Sequence, residues 1–203
     1  MASEFAIITA SRARPLPKAH ILAPSEPNRI GLEEARAGDE LSDEEALWRF
    51  SLAFYARPNV SEALIRLQDL AGCDVNLTLF MLWLGLSGRR PFTSEDLLTA
   101  ERITGPIRFD LVEPLRSLRR KLGSNPDPQV QRLREKIKRL ELAAERIVQN
   151  RLAQLAGVPE RNHDHSARIS AALANLILYL GPELAGGPEA AVIRDALLAF
   201  VKD

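Results

Sequence analysis

The sequence predicts an all-α protein, an irregular bundle of about six or seven helices preceded by a loosely ordered N-terminal arm. Three observations predict it. Apolar residues recur at three- and four-residue intervals from Ser42 onward, capping residues and Gly/Pro breakers punctuate those runs, and no convincing strand pair interrupts them. Three segments follow: the arm over 1–40, a helical core domain over 41–156, and a C-terminal helical pair over 157–203 packed on that core.

In the arm, Pro15, Pro17, Pro24 and Pro27 withhold amide donors and disfavour helix before them. Ile7, Ile8, Ile21 and Leu22 are its candidates for docking on a core. The first helix starts at Ser42, which has the spacing of a capping box with Glu45. It places Leu47, Phe50 and Phe54 on one face and stops before Pro58. A second runs from about Val60 to Ala71 on Leu64, Leu67 and Leu70, with Gly72 as a left-handed cap. Asp74 opens a third, Val75 to Leu86, closed by Gly88. A helix apolar all round is a buried helix, so this one is the expected centre of the core.

Thr93 and Asp96 mark the next start, and Gly105-Pro106 is expected to break or kink that helix. Leu111, Leu115, Leu118 and Leu122 define a further segment, ended by the loop Gly123 to Pro128. The longest helix, about Gln129 to Ala156, repeats Val130, Leu133, Ile137, Leu140, Ala144 and Ile147 at 3-4 spacing. That stripe is expected to pack on the chain's own core; a homodimer through 129–156 is the alternative. A helix from about Ser166 to Leu180 and a last one with Pro188 at its first position complete the bundle.

Composition narrows function. The 27 basic and 27 acidic residues cancel, which excludes a chain that is basic throughout. A single cysteine, Cys73, excludes an internal disulfide framework and fits a reducing compartment. The N-terminal apolar run is short, carries Glu4 and lacks a basic lead, a poor secretory signal. Val75 to Leu86 falls far short of the roughly 20 residues that cross a bilayer, so no membrane association is expected. The expected location is the cytoplasm.

The stretch Leu47-Trp48-Arg49-Phe50-Ser-Leu-Ala-Phe-Tyr55-Ala-Arg-Pro58 is distinctive, as are Leu67-Gln68-Asp69-Leu-Ala-Gly72-Cys-Asp74-Val-Asn76 and Phe80-Met-Leu-Trp83-Leu-Gly85. With Pro114-Leu-Arg116, Arg119-Arg120 and Lys138-x-x-Glu141-Leu-x-Ala-Glu145, they resemble a proteobacterial family of small helical proteins known only as a domain of unknown function. The resemblance runs from about residue 45 to about 150 and implies a bacterial origin. It brings no activity, cofactor or partner.

Two constellations stand out. The first is polar: Gln68, Asp69, Asp74 and Asn76 gather at the junction of the second and third helices, with Trp48 and Arg49 from the first helix facing the same region. They are candidate ligand-binding residues, or, in the plainer reading, caps and backbone partners. The second is basic. Between Arg116 and Arg139 nine Arg or Lys face two acids, with Arg116, Arg119, Arg120, Lys121, Arg132 and Lys136 as candidate partner-binding residues. No aromatic residue interrupts that span, so nucleic acid is a weak candidate and an acidic protein the stronger one.

Other chemistry gets little support. Glu160-x-x-His163 has di-iron spacing but only one copy, so neither a metal nor a cofactor is predicted. Cys73 has no histidine partner and adjoins Asp74. The leading expectation is a non-enzymatic adaptor or regulatory protein using the basic surface over 111–150 to bind an acidic protein or nucleic acid. The alternative is a small-molecule enzyme or ligand-binding bundle at Gln68, Asp69, Asp74 and Asn76.

Overall fold

In a computed structural model, residues 41–159 and 164–202 are described. The expectations for the arm and for the Glu160-x-x-His163 pattern lie outside these residues. Helices α1 (Asp43–Tyr55), α2 (Val60–Ala71), α3 (Val75–Leu86), α4 (Ser94–Ile107), α5 (Glu113–Lys121), α6 (Pro128–Ala153), α7 (His165–Ala185) and α8 (Pro188–Phe200) follow in order. A π-helical segment, Arg108–Val112, joins α4 to α5, so the eight helices form seven rods. The described residues contain no strand.

Side chains set most of the helix starts. Ser42 accepts from the amide of Glu45, but the Glu45 carboxylate turns away to Arg49 and Arg146, leaving half of the expected capping box. The Thr93–Asp96 box closes in both directions. Asp74, Asp127 and Asp164 cap α3, α6 and α7 through hydrogen bonds from Leu77, Gln129 and Ala167. Gly72 ends α2 with φ of 70°, a conformation that costs glycine little.

Two breakers behave differently from each other. Gly181 leaves helical geometry at φ 74° and kinks α7, as its Gly-Pro pair suggests. Gly105-Pro106 does not break the rod. Pro106 and Pro114 each withhold an amide, and the wider π turn falls between them, keeping α4, the segment and α5 continuous.

The core forms around α3, where every residue from Asn76 to Gly85 is buried. Phe50 stacks on Phe54 at 5.4 Å, and Phe200 meets both edge-on. At the α3–α7 crossing, Gly85 lets the backbone of Ala171 and Ala172 approach directly. Asn175 on α7 accepts from the amide of Phe92 at 3.0 Å and donates to the carbonyl of Met81 at 3.2 Å. Tyr179 one turn on accepts from the amide of Asp74 at 2.5 Å. Arg89 is a keystone: its buried guanidinium lies over Trp83, pairs with Asp43 and donates to the carbonyl of Gly157.

Candidate partner-binding surface

The α5–α6 hairpin carries the basic segment, and its charges divide into two sets. Arg116 and Arg119, one turn apart on α5, point inward to Glu141 and Glu145, one turn apart on α6. Arg116 Nε meets Glu141 at 3.0 Å and its Nη2 meets Glu145 at 2.5 Å; Arg119 donates to both oxygens of Glu141 from Nε and Nη2. Burial alone would lift the Glu141 carboxyl, but hydrogen bonds and charge from Arg119 and Arg116 outweigh it and hold it below the ordinary range. Burial lifts Glu145 above that range, with Arg116 opposing. Tyr55 of α1 lies in the field of the same four charges, and burial raises its hydroxyl.

The other set faces out. Lys121, Arg132, Lys136, Lys138 and Arg139 are exposed and make no ion pair or hydrogen bond with the described residues. Of the six cations singled out in the sequence, then, Arg116 and Arg119 bind the chain's own acids, Arg120 faces Asp69 at 3.6 Å, and Lys121, Arg132 and Lys136 are left for solvent or a partner.

The 3-4 stripe on α6 also divides. Ile137 and Ala144 are buried, whereas Leu133, Leu140 and Ile147 are 51%, 58% and 45% exposed. The buried face continues instead through Glu141, Val148 and Leu152. An acid occupies the inward position that an apolar pattern would fill.

The polar constellation is dispersed among several contacts. Asp74 caps α3 and lies 3.7 Å from Arg108 of the π segment. Asn76 accepts from Gln149 at 3.0 Å in the α3–α6 interface. Asp69 is exposed toward Arg120, and half-buried Gln68 receives the amide of Gly72 on its backbone carbonyl. Trp48 lies under the Arg146 guanidinium and Arg49 pairs with Glu45 at 2.9 Å. No hydrogen bond or ion pair among the described residues joins Asp69 to Asp74. Cys73 is half-buried, and burial with the neighbouring Asp74 charge raises its thiol. No group of three or more His, Cys, Asp or Glu among the described residues is placed to hold a metal.

Arg108 and Tyr179 escaped the sequence reading, and Glu141 and Glu145 entered it only within the family motif, without a role. Glu141 and Glu145, four apart on one helix and facing a pair of arginines three apart across a short loop, were the available signal. Nothing local marks Arg108 or Tyr179.

A family model spanning residues 46–152 matches the chain. The chain belongs to that family, described as a protein of unknown function (DUF2390). No curated protein and no solved structure matches it. The DUF2390 region holds both sides of the hairpin and the inward ion cluster, but ends before α7. No helix among the described residues is long and apolar enough to cross a membrane.

Proposed function

We propose that the protein is a non-enzymatic adaptor or regulator that binds an acidic macromolecule through the outer face of the α5–α6 hairpin. One observation carries this reading: Lys121, Arg132, Lys136, Lys138 and Arg139 are exposed without internal partners, while the inward cations of the same hairpin are neutralised. Charge that the fold does not use is free to attract an opposite field. The inward pair ties α5 to α6, the helix that carries four of the five outer cations.

The test is an anisotropy titration with labelled poly-L-glutamate and, separately, a short DNA duplex. Binding should weaken steeply between about 50 and 200 mM salt. The triple reversal Arg132→Glu, Lys136→Glu, Arg139→Glu should abolish it while leaving the melting temperature unchanged. Binding that survives the triple reversal sinks the proposal. Reversal of Arg116 and Arg119 is the wrong probe, since it breaks the ion cluster.

A second reading, a ligand site beside Asp74, has one observation in its favour. Arg108 sets its Nη1 3.7 Å from Asp74, while its Nε is buried without a hydrogen-bond partner, with Glu113 at 3.9 Å as its ion-pair contact. Native mass spectrometry of the protein purified from its host separates the two: a small bound mass favours the second reading, a bound macromolecule the first.

A further inference from the structure

We infer that the partner engages the hairpin as an acidic amphipathic helix, laid along the exposed ridge Leu133, Leu140 and Ile147 of α6. This rests on reading the hairpin as a partner-binding surface, and it names what that partner must present.

The ridge is a second apolar stripe on a helix that has already spent its first. Leu133, Leu140 and Ile147 recur every seven residues and are each about half exposed, while Ile137, Ala144, Val148 and Leu152 face the core. At about 100° per residue the three ridge residues fall within about 40° of one another, and they span about 21 Å of helix. Seven-residue spacing is the period that lets a second helix follow the stripe by a shallow left-handed wrap. Lys136, Arg132 and Arg139 line one edge of the ridge on the same count, about 40° to 100° from its centre. All three are exposed; the one acid near them, Glu135, falls on the far side of Arg139 from the ridge, about 140° from its centre, and pairs with Arg134 at 3.2 Å.

That edge decides the occupant. Two antiparallel copies of α6 set ridge to ridge would bring these cation edges toward one another, with the nearby acid Glu135 turned away from the seam and engaged by Arg134, a repulsive arrangement. A nucleic acid would satisfy the cations but leave the three apolar side chains against phosphate and solvent, and residues 111–150 offer no aromatic ring for base stacking. A helix with leucine-type residues on one stripe and Glu or Asp along one flank satisfies both features at once. A ridge of three side chains is small, so the complex belongs to the weak, exchanging class of interfaces.

The experiment uses the full chain and a synthetic peptide of about three heptads, leucine on the a and d positions and glutamate on the flanks. A scrambled peptide of identical composition, a short DNA duplex, and sedimentation of the free protein complete the set. The expected result is binding of the amphipathic peptide at least about tenfold tighter than the scrambled one. That binding should be lost in Leu140→Glu and in the Arg132/Lys136/Arg139 reversal, with the melting temperature of both variants unchanged. Equal binding of the scrambled peptide overturns the helix inference and leaves the basic-surface reading standing. Binding of duplex alone does the same. Failure of peptides and duplex together overturns both. A concentration-dependent dimer that Leu140→Glu dissolves overturns the inference in favour of a second copy.

Discussion

Replacing Gly85 by alanine adds one methyl group at the point where α3 and α7 cross. A Cβ there would sit 2.1 Å from the backbone nitrogen of Ala172, 2.3 Å from its Cα and 2.6 Å from the carbonyl carbon of Ala171. Comfortable non-bonded carbon contacts begin near about 3.5 Å, so α7 must withdraw by more than about 1 Å or α3 must bend. All three obstacles are backbone atoms, and no rotamer change relieves them. Overpacking of this kind costs about 1–3 kcal/mol, and the backbone clash places it at the upper end. Alanine returns up to about 1 kcal/mol through its better helix propensity. The net loss is about 2–3 kcal/mol, which at about 2–4 °C per kcal/mol lowers Tm by about 5–10 °C. Calorimetry of wild type and Gly85→Ala reads it directly. The double variant Gly85→Ala, Ala172→Gly recovers nothing, since removing the Ala172 side chain leaves the obstructing atoms in place. A Gly85→Ala protein that melts at or above the wild-type temperature refutes the crossing geometry.

Three further outcomes follow from the polar contacts. Glu141→Gln leaves Arg116 and Arg119 without their shared carboxylate and costs about 3–5 kcal/mol in urea unfolding. Because the folded-state pKa of Glu141 is depressed, its stabilising contribution is complete above the unfolded carboxylate range and disappears as pH falls through the folded value. Glu145 titrates the other way: its raised folded value favours the fold as pH drops through it, partly masking the loss. Stability measured from neutral pH downward should therefore fall at acid pH in the wild type and fall less in Glu141→Gln; an unchanged acid limb contradicts the ion cluster. Tyr179→Phe strips the acceptor from the buried amide of Asp74 and costs about 1–3 kcal/mol by chemical denaturation; a neutral outcome means that amide has another partner. Arg89→Ala removes a bond to Gly157, a pair with Asp43 and a stack on Trp83, for about 2–3 kcal/mol. Its tryptophan emission should shift to longer wavelength, and an unshifted spectrum argues against the stack.

The helices were legible because the code for them is local. Asp74, Thr93, Gly72 and Pro188 act within a few residues of themselves, and the uninterrupted apolar run of α3 has no other outlet than burial. What could not be read is relational. The stripe on α6 contains two overlapping apolar lines, and periodicity does not say which of them meets the core; the buried line includes Glu141, a residue that a hydrophobic pattern discards. Likewise a run of nine cations reads as one basic surface until Glu141 and Glu145 are found folded against two of them. Gly105-Pro106 reads as a stop because a break and a widened turn both compensate for a missing amide. Arg108 lies 3.7 Å from Asp74, 34 residues earlier in the chain, a pairing that no local rule anticipates.

The glycine at the α3–α7 crossing reaches beyond this chain. The DUF2390 match ends at residue 152, yet the face of α3 that carries Gly85 is covered by a helix beginning at His165. The segment that defines kinship and the segment that shares one packed core thus have different ends. A fragment cut at the family boundary exposes the seat of α7 along α3 and is expected to associate or aggregate. A relative that keeps this glycine needs, somewhere in its own sequence, a helix able to bring bare backbone to the same spot, however little that helix resembles α7. Small residues at two successive helical positions are the signature by which such a cover can be sought.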